Sequence, residues 1–201
     1  MRELLPDIST WTWFSDRFGY DFSGWHVRHP SGNLCIDPVQ MSEEVLDELA
    51  RLGVARIVLT NRNHFRDAER LRARTGAEVM IHPADAAFVR EKGVTLGAPL
   101  SAGQRVGPFT VVPADGKSPG EVALHWPERR ILVVGDICVG NPPGALGLLP
   151  ETVMDDPAAL RLSLARLAET LDFDTLLVGD GASILSGARA ALRTLVARFS
   201  K

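Results

Sequence analysis

The sequence predicts an α/β protein whose sheets are covered by helices on their outer faces. Three observations predict it: helical apolar spacing alternates with short β-branched runs, period-two strands follow one another without a helix between them in two stretches, and glycine or proline punctuates most junctions. With 201 residues, 45% of them hydrophobic and 23% charged, the chain can bury one sizeable core, and a single domain over residues 1–201 is expected.

Residues 1–40 read as a hairpin-rich opening. Trp11–Phe14 and Tyr20–Phe22 are aromatic strands, and Trp25–His29 is joined to Asn33–Asp37 by the turn-forming Pro30-Ser31-Gly32. From Ser42 to Leu52, Val45, Leu46, Leu49 and Leu52 stand at helical spacing, with Glu43 and Glu44 in the first turn, Arg51 in the last and Gly53 beyond it. Ala55–Thr60 is a β-branched strand, Asn61–His64 a polar loop, and Arg66–Arg74 a basic helix stopped by Gly76, which begins a βαβ-like unit. Glu78–Ile81 is a strand, Pro83–Arg90 a short helix, and Gly93–Gly107 an irregular connection.

The period then returns to two. Phe109–Pro113, Val122–Trp126 and Ile131–Gly135 form an antiparallel meander, its second turn being Pro127-Glu128-Arg129-Arg130. A glycine- and proline-rich loop, Gly140–Pro150, leads to a helix capped by Asp156, with Pro157 in its first turn and Leu160, Leu164, Leu167 and Leu171 on one face. Asp174–Gly179 is the last strand. The closing helix, Ser186–Phe199, presents Ala188, Ala191, Leu192, Leu195 and Phe199 as its apolar stripe.

Charge and composition narrow the functional classes. Against 25 acidic residues stand 22 Lys and Arg, a formal charge of −3, which lacks the basic excess that a nucleic-acid binder needs. No apolar run approaches the ~20 residues of a membrane span, so neither nucleic acid nor membrane is an expected partner. The opening Met1-Arg2-Glu3-Leu4-Leu5-Pro6-Asp7 has no apolar export core, and a cytoplasmic protein is expected. Cys35 and Cys138 sit in apolar runs without CxxC spacing and read as reduced core residues.

The chemistry should lie in the polar loops that leave strand ends. These are Thr60-Asn61-Arg62-Asn63-His64-Phe65-Arg66-Asp67, Asp115-Gly116-Lys117-Ser118-Pro119-Gly120 and Val178-Gly179-Asp180-Gly181, to which Gly135-Asp136 is added. In their order and spacing, over residues 25–199, these segments resemble the metallo-β-lactamase-fold hydrolases. That family reads T-H-x-H-x-D-H, G-H-[ST]-P-G, G-D and G-H in the same order, and holds two zinc ions in a four-layer αββα sandwich of two mixed sheets between helices. The resemblance therefore implies that fold. It also exposes substitutions: Asn61 and Asn63 stand where the first two histidines would be, Phe65 for the aspartate, Arg66 for the third histidine, Lys117 for the next and Asp180 for the last. Only Asp136 keeps the family's ligand.

Zinc takes imidazole, thiolate or carboxylate donors at about 2.0–2.3 Å, asparagine is a weak neutral donor, and guanidinium does not ligate at all. The resemblance thus implies a degenerate site with no cofactor expected, in which Arg66 and Lys117 neutralise Asp136 and Asp180 in place of a metal. The leading reading is a non-hydrolytic homologue that binds a small molecule or a partner. The alternative is a hydrolase of an ester, thioester, lactone or phosphoester using one atypical divalent metal, zinc or manganese, on His64, Asp67, Asp136 and Asp180. A third reading is a homodimer formed through the aromatic N-terminal hairpins. A catalytic lysine is disfavoured, because carboxylates beside Lys117 would stabilise its charged form.

Blander readings stand beside these. His64 can be a loop residue bonded to backbone, and His26, His29, His82 and His125 are scattered structural or surface histidines. Asp37, in Cys35-Ile36-Asp37-Pro38, is read as holding loop backbone or Arg62. Trp11, Trp13 and Trp25 are read as core. The Gly140–Pro150 loop is a substrate lid or a plain connection.

Overall fold

The computed structural model describes residues 1–199. The chain divides into two compact units, Met1–Ser101 and Ala102–Lys201, each built on one mixed sheet. In the first, the sheet runs in order β1 (Arg2–Leu5), β2 (Ile8–Ser15), β3 (Tyr20–Val27), β4 (Leu34–Ile36), β5 (Arg56–Val58) and β6 (Glu78–Met80). Neighbours from β1 to β4 are antiparallel, and β4, β5 and β6 are parallel. Parallel neighbours need crossovers. Helices α1 (Glu43–Leu52) and α2 (Ala68–Thr75) supply them, and α3 (Pro83–Glu91) follows β6.

The opening differs from the sequence reading. Arg2–Leu5 forms a strand where none was expected, and the aromatic fragments are one continuous hairpin, paired from Ile8 with Val27 to Ser15 with Tyr20. Strand β3 survives its Ser23-Gly24 interruption because Gly24 pairs with Trp11, and a Cβ there would overlap the Trp11 indole. The indole covers the glycine and packs instead into a core with Cys35, Leu46, Leu49, Ile57, Leu71, Val79 and Val89. Trp25 is likewise buried, but Trp13 is 37% exposed, so core placement holds for only two of the three tryptophans named.

Helix α1 carries the expected cap: the Ser42 hydroxyl accepts from the Val45 amide, and the Gly53 amide returns to the Ala50 and Leu49 carbonyls. Helix α2 starts at Ala68 rather than at Arg66. The preceding residues are held outward by tertiary bonds: the Asp67 amide donates to the Pro38 carbonyl, and the Asp67 carboxylate makes no cap bond.

In the second unit the order is β11 (Thr175–Val178), β10 (Ile131–Val134), β9 (Val122–Trp126), β8 (Phe109–Pro113) and β7 (Arg105–Val106), with β10 and β11 parallel and the rest antiparallel. The meander is as predicted, with β7 added from within the irregular connection. Helix α4 (Pro157–Thr170) is capped by Asp156, whose carboxylate accepts from the Ala159 amide. Its Leu160, Leu164 and Leu167 are fully buried against Leu132, Val134, Leu176 and Leu192. Each contributes roughly 2 kcal/mol by leaving water. Helix α5 covers Ala188–Val196, shorter than expected, because Gly187 takes a left-handed turn (φ 72°) and its amide, with the Ser186 hydroxyl, bonds Asp174.

The strands are buried on both faces in β4, β10 and β11, which explains their unbroken apolar runs. Both cysteines are free and buried, and burial pushes their thiols up, Cys138 to about 12. No helix among the described residues is long and apolar enough to cross a membrane.

Candidate functional site

In the first unit the loop Thr60–Asp67 is organised by Asp37, which ends β4's run with a left-handed φ of 49°. The Asp37 carboxylate accepts from the Thr60 amide (2.8 Å) and from the Thr60 hydroxyl (2.6 Å), and its Oδ2 lies 2.9 Å from His64 Nδ1. All three residues are buried. Asp37 thus holds loop backbone, as expected, but not Arg62. The Arg62 amide is held at 3.0 Å by the buried Asp85 of α3, and the Arg62 guanidinium lies over Phe88. A carboxylate on Nδ1 keeps a proton on that nitrogen and fixes the orientation of the ring, as it does for ligating histidines. His64 is therefore more than a backbone-bonded loop residue.

The other loop residues are turned to local tasks. The buried Asn61 Oδ1 accepts from the Asn63 amide at 2.8 Å, closing the turn on itself. Arg66, expected to neutralise a cavity carboxylate, makes no ion pair among the described residues. Its guanidinium stacks on Phe22, 4.5 Å from the ring centroid, since folding places β3 beside the loop. Asp67, expected as a metal donor in the alternative reading, is committed elsewhere: its Oδ2 accepts from the Met41 amide (2.9 Å) and from Arg70 (3.1 Å). That carboxylate anchors α2 to the segment before α1.

In the second unit the loop Asp115–Gly120 is strapped to the start of α4. The Asp156 amide donates to the Gly116 carbonyl (2.8 Å) and the Ser163 hydroxyl to the Asp115 carbonyl (3.0 Å). Gly116 has φ 137°, and a Cβ there would overlap the Leu160 backbone, so glycine is required. This approach places Lys117 indoors: its Nζ is 3.5 Å from Asp136 Oδ2, both side chains being buried. The Asp136 amide, just past β10, donates to Glu121 Oε1 at 2.7 Å. Glu121 is 1% exposed and was missed by the sequence reading, although a lone acid heading the apolar run Val122-Ala123-Leu124 was its visible signal.

Asp180 follows β11 and is also buried. Its carbonyl accepts from the Gly140 amide (2.9 Å), and the Gly140 carbonyl accepts from the Ala182 amide (2.8 Å). A Cβ on Gly140 would overlap the Ala182 backbone, so this close crossing also needs glycine. Carboxylate oxygens of Asp136 and Asp180 lie within 4.8 Å of each other. Two carboxylates so close must be balanced by a cation, whether an ammonium, a proton or a metal ion. The donor set falls short of a two-zinc centre: Asn61 and Asn63 are amides, Phe65 has no donor, and Arg66 and Lys117 are cationic.

The comparisons bear on family and fold. The sequence model of the metallo-beta-lactamase superfamily matches residues 1–199. No curated protein matches the sequence. Among solved structures, TTHA1623, in a di-iron-bound form, is 25% identical with TM-score 0.71, covering 90% of this chain and 96% of that one. The metallo-beta-lactamase family protein TTHA1429 from Thermus thermophilus is 19% identical with TM-score 0.75, over 98% and 81%. A metallo beta lactamase from Erythrobacter litoralis, with beta mercaptoethanol in its active site, is 16% identical with TM-score 0.78, over 98% and 95%. The last two similarities speak for the fold alone.

Proposed function

The chain belongs to the metallo-beta-lactamase superfamily, and on that premise we propose that it is a non-hydrolytic member that binds a small ligand or a partner without a resident metal pair. The observation that carries this reading is the Lys117–Asp136 ion pair, 3.5 Å apart and buried. A fixed ammonium there supplies the positive charge that the carboxylate otherwise draws from a metal, and it repels a cation brought to the same oxygens. Without a metal no group in these loops lowers the pKa of an attacking water.

A second reading, a hydrolase with one divalent ion, is favoured by one feature, the approach of the Asp136 and Asp180 carboxylates to within 4.8 Å. Those two residues would hold the ion. The ion would supply a Lewis acid that activates water. The di-iron-bound form of TTHA1623 lends this reading weight.

Elemental analysis of tag-free protein, dialysed against zinc or manganese and then freed of excess, separates the two. The first reading expects no metal retained by the wild type or by Asp136→Ala, and no hydrolysis of ester, thioester, lactone or phosphodiester substrates. About one equivalent in the wild type, absent from Asp136→Ala, overturns it in favour of the hydrolase.

A further inference from the structure

We infer that a cleft in the first unit, lined by Trp13, Gln40, Met41, Arg66, Asp67 and Arg70, binds a small organic oxyanion, a carboxylate or phosphate ester carried on a planar apolar group. The cleft measures about 360 Å³, within the range of small-molecule sites. Its lining holds two arginines and one carboxylate, and that carboxylate is already taken. Asp67 is bound by Arg70 and by the Met41 amide, and Arg70 also donates to Glu43 and to the Met41 carbonyl.

Arg66 is left with its charge unanswered. Among the described residues its only partner is the Phe22 ring, and its Nη1 is shut away from solvent with no hydrogen-bond acceptor. A guanidinium cannot shed its proton, so its charge stays in the cleft wall. An oxyanion in the cleft answers that charge and matches the planar fork. The Phe22 ring beneath it restrains the guanidinium, which spares the ligand part of the entropy of ordering a long side chain.

The second half of the ligand follows from Trp13. Its ring lies 5.6 Å from Phe22 and stays 37% exposed in the cleft wall, an apolar face that a planar group would cover. Anion on Arg66 and plane on Trp13 define one orientation. The cleft uses no residue of the second unit, and the inference holds whichever reading of the Lys117–Asp136 pair is correct.

The test titrates ¹⁵N-labelled full-length protein with benzoate and with phenyl phosphate, using benzyl alcohol as the neutral counterpart. The indole N–H cross-peak of Trp13, assigned through Trp13→Phe, is the readout. At least one anion is expected to shift it saturably, with benzyl alcohol at least about tenfold weaker and affinity falling as salt rises. Arg66→Met should weaken binding about tenfold or more and Arg66→Lys by less, because lysine keeps the charge but loses the fork. Whichever anion binds more tightly identifies the headgroup. No saturable shift with either anion, equal affinity for benzyl alcohol, or unchanged affinity in folded Arg66→Met overturns the inference. If Arg66→Met does not fold, the benzyl alcohol comparison and Arg66→Lys decide it. Loaded or stripped metal should leave the titration unchanged, which separates failure here from failure of the ion-pair reading.

Discussion

The loop Thr60–Asp67 and the loops bearing Lys117, Asp136 and Asp180 keep their shapes by different physics. The first winds around one buried carboxylate, Asp37, with Thr60 and His64 on Asp37, Asn61 on the Asn63 amide and Arg66 on Phe22. The second gathers Asp136, Glu121 and Asp180 indoors and sets Lys117 against Asp136. A loop held by short-range bonds loses its shape when one acceptor goes, whereas a loop holding buried charge responds to the balance of charge, so the partner can be changed together with the group.

Removing Asp37 should have the largest effect. Asp37→Ala takes away the acceptor for the Thr60 amide, the Thr60 hydroxyl and His64 at once, and should cost about 4 kcal/mol in urea unfolding. A loss under about 1 kcal/mol would mean that the first loop does not depend on its carboxylate and would break the contrast. Lys117→Met comes next, with an expected loss of about 3 kcal/mol from stranding buried Asp136. Adding Asp136→Asn in that background should recover part of the loss, because the stranded charge goes with it. A double-mutant cycle measures this coupling, and simple additivity would sink the charge-balance account.

The smallest effect belongs to His26, on β3, which tests a lone buried imidazole outside both regions. Burial first, and Arg28 second, push its pKa below the ordinary value, partly offset by a bond to Gly53 and by Glu48. The folded chain therefore keeps His26 neutral at a pH where the unfolded chain, with its ordinary pKa near 6.5, takes up a proton. Stability should then fall as pH drops from about 7 towards 5, and His26→Gln should flatten that part of the thermal-melting profile. An unchanged slope would mean that His26 does not carry this part of the acid dependence.

Much of the fold was legible because its signals are local. Asp156, Pro157 and the leucine stripe define α4 within a few turns, and short apolar runs rich in β-branched residues and bounded by turns define β8, β9 and β10. Strand β1 and the full length of the β2–β3 hairpin were not legible. The hairpin runs through Gly24 with Trp11 lying across it, a contact thirteen residues apart in sequence that no periodicity encodes. The candidate site divides in the same way. That zinc donors are missing is a matter of residue type and can be read directly. The destinations of Arg66 and Asp67 depended on Phe22 and Met41, which only folding brings beside them.

The sequence by itself determined the alternation of helices and strands, the family resemblance and the unsuitability of its loops for a two-zinc centre, since these follow from side-chain chemistry and short-range spacing. Only the folded chain showed that Glu121 supports Asp136 and that Arg66 stacks on an aromatic ring, and it chose between the alternatives left open for Asp37 and for the partner of Lys117. The reason is that a charged side chain's partner is set by which long-range neighbours exclude water around it, and that exclusion exists only once the chain has folded.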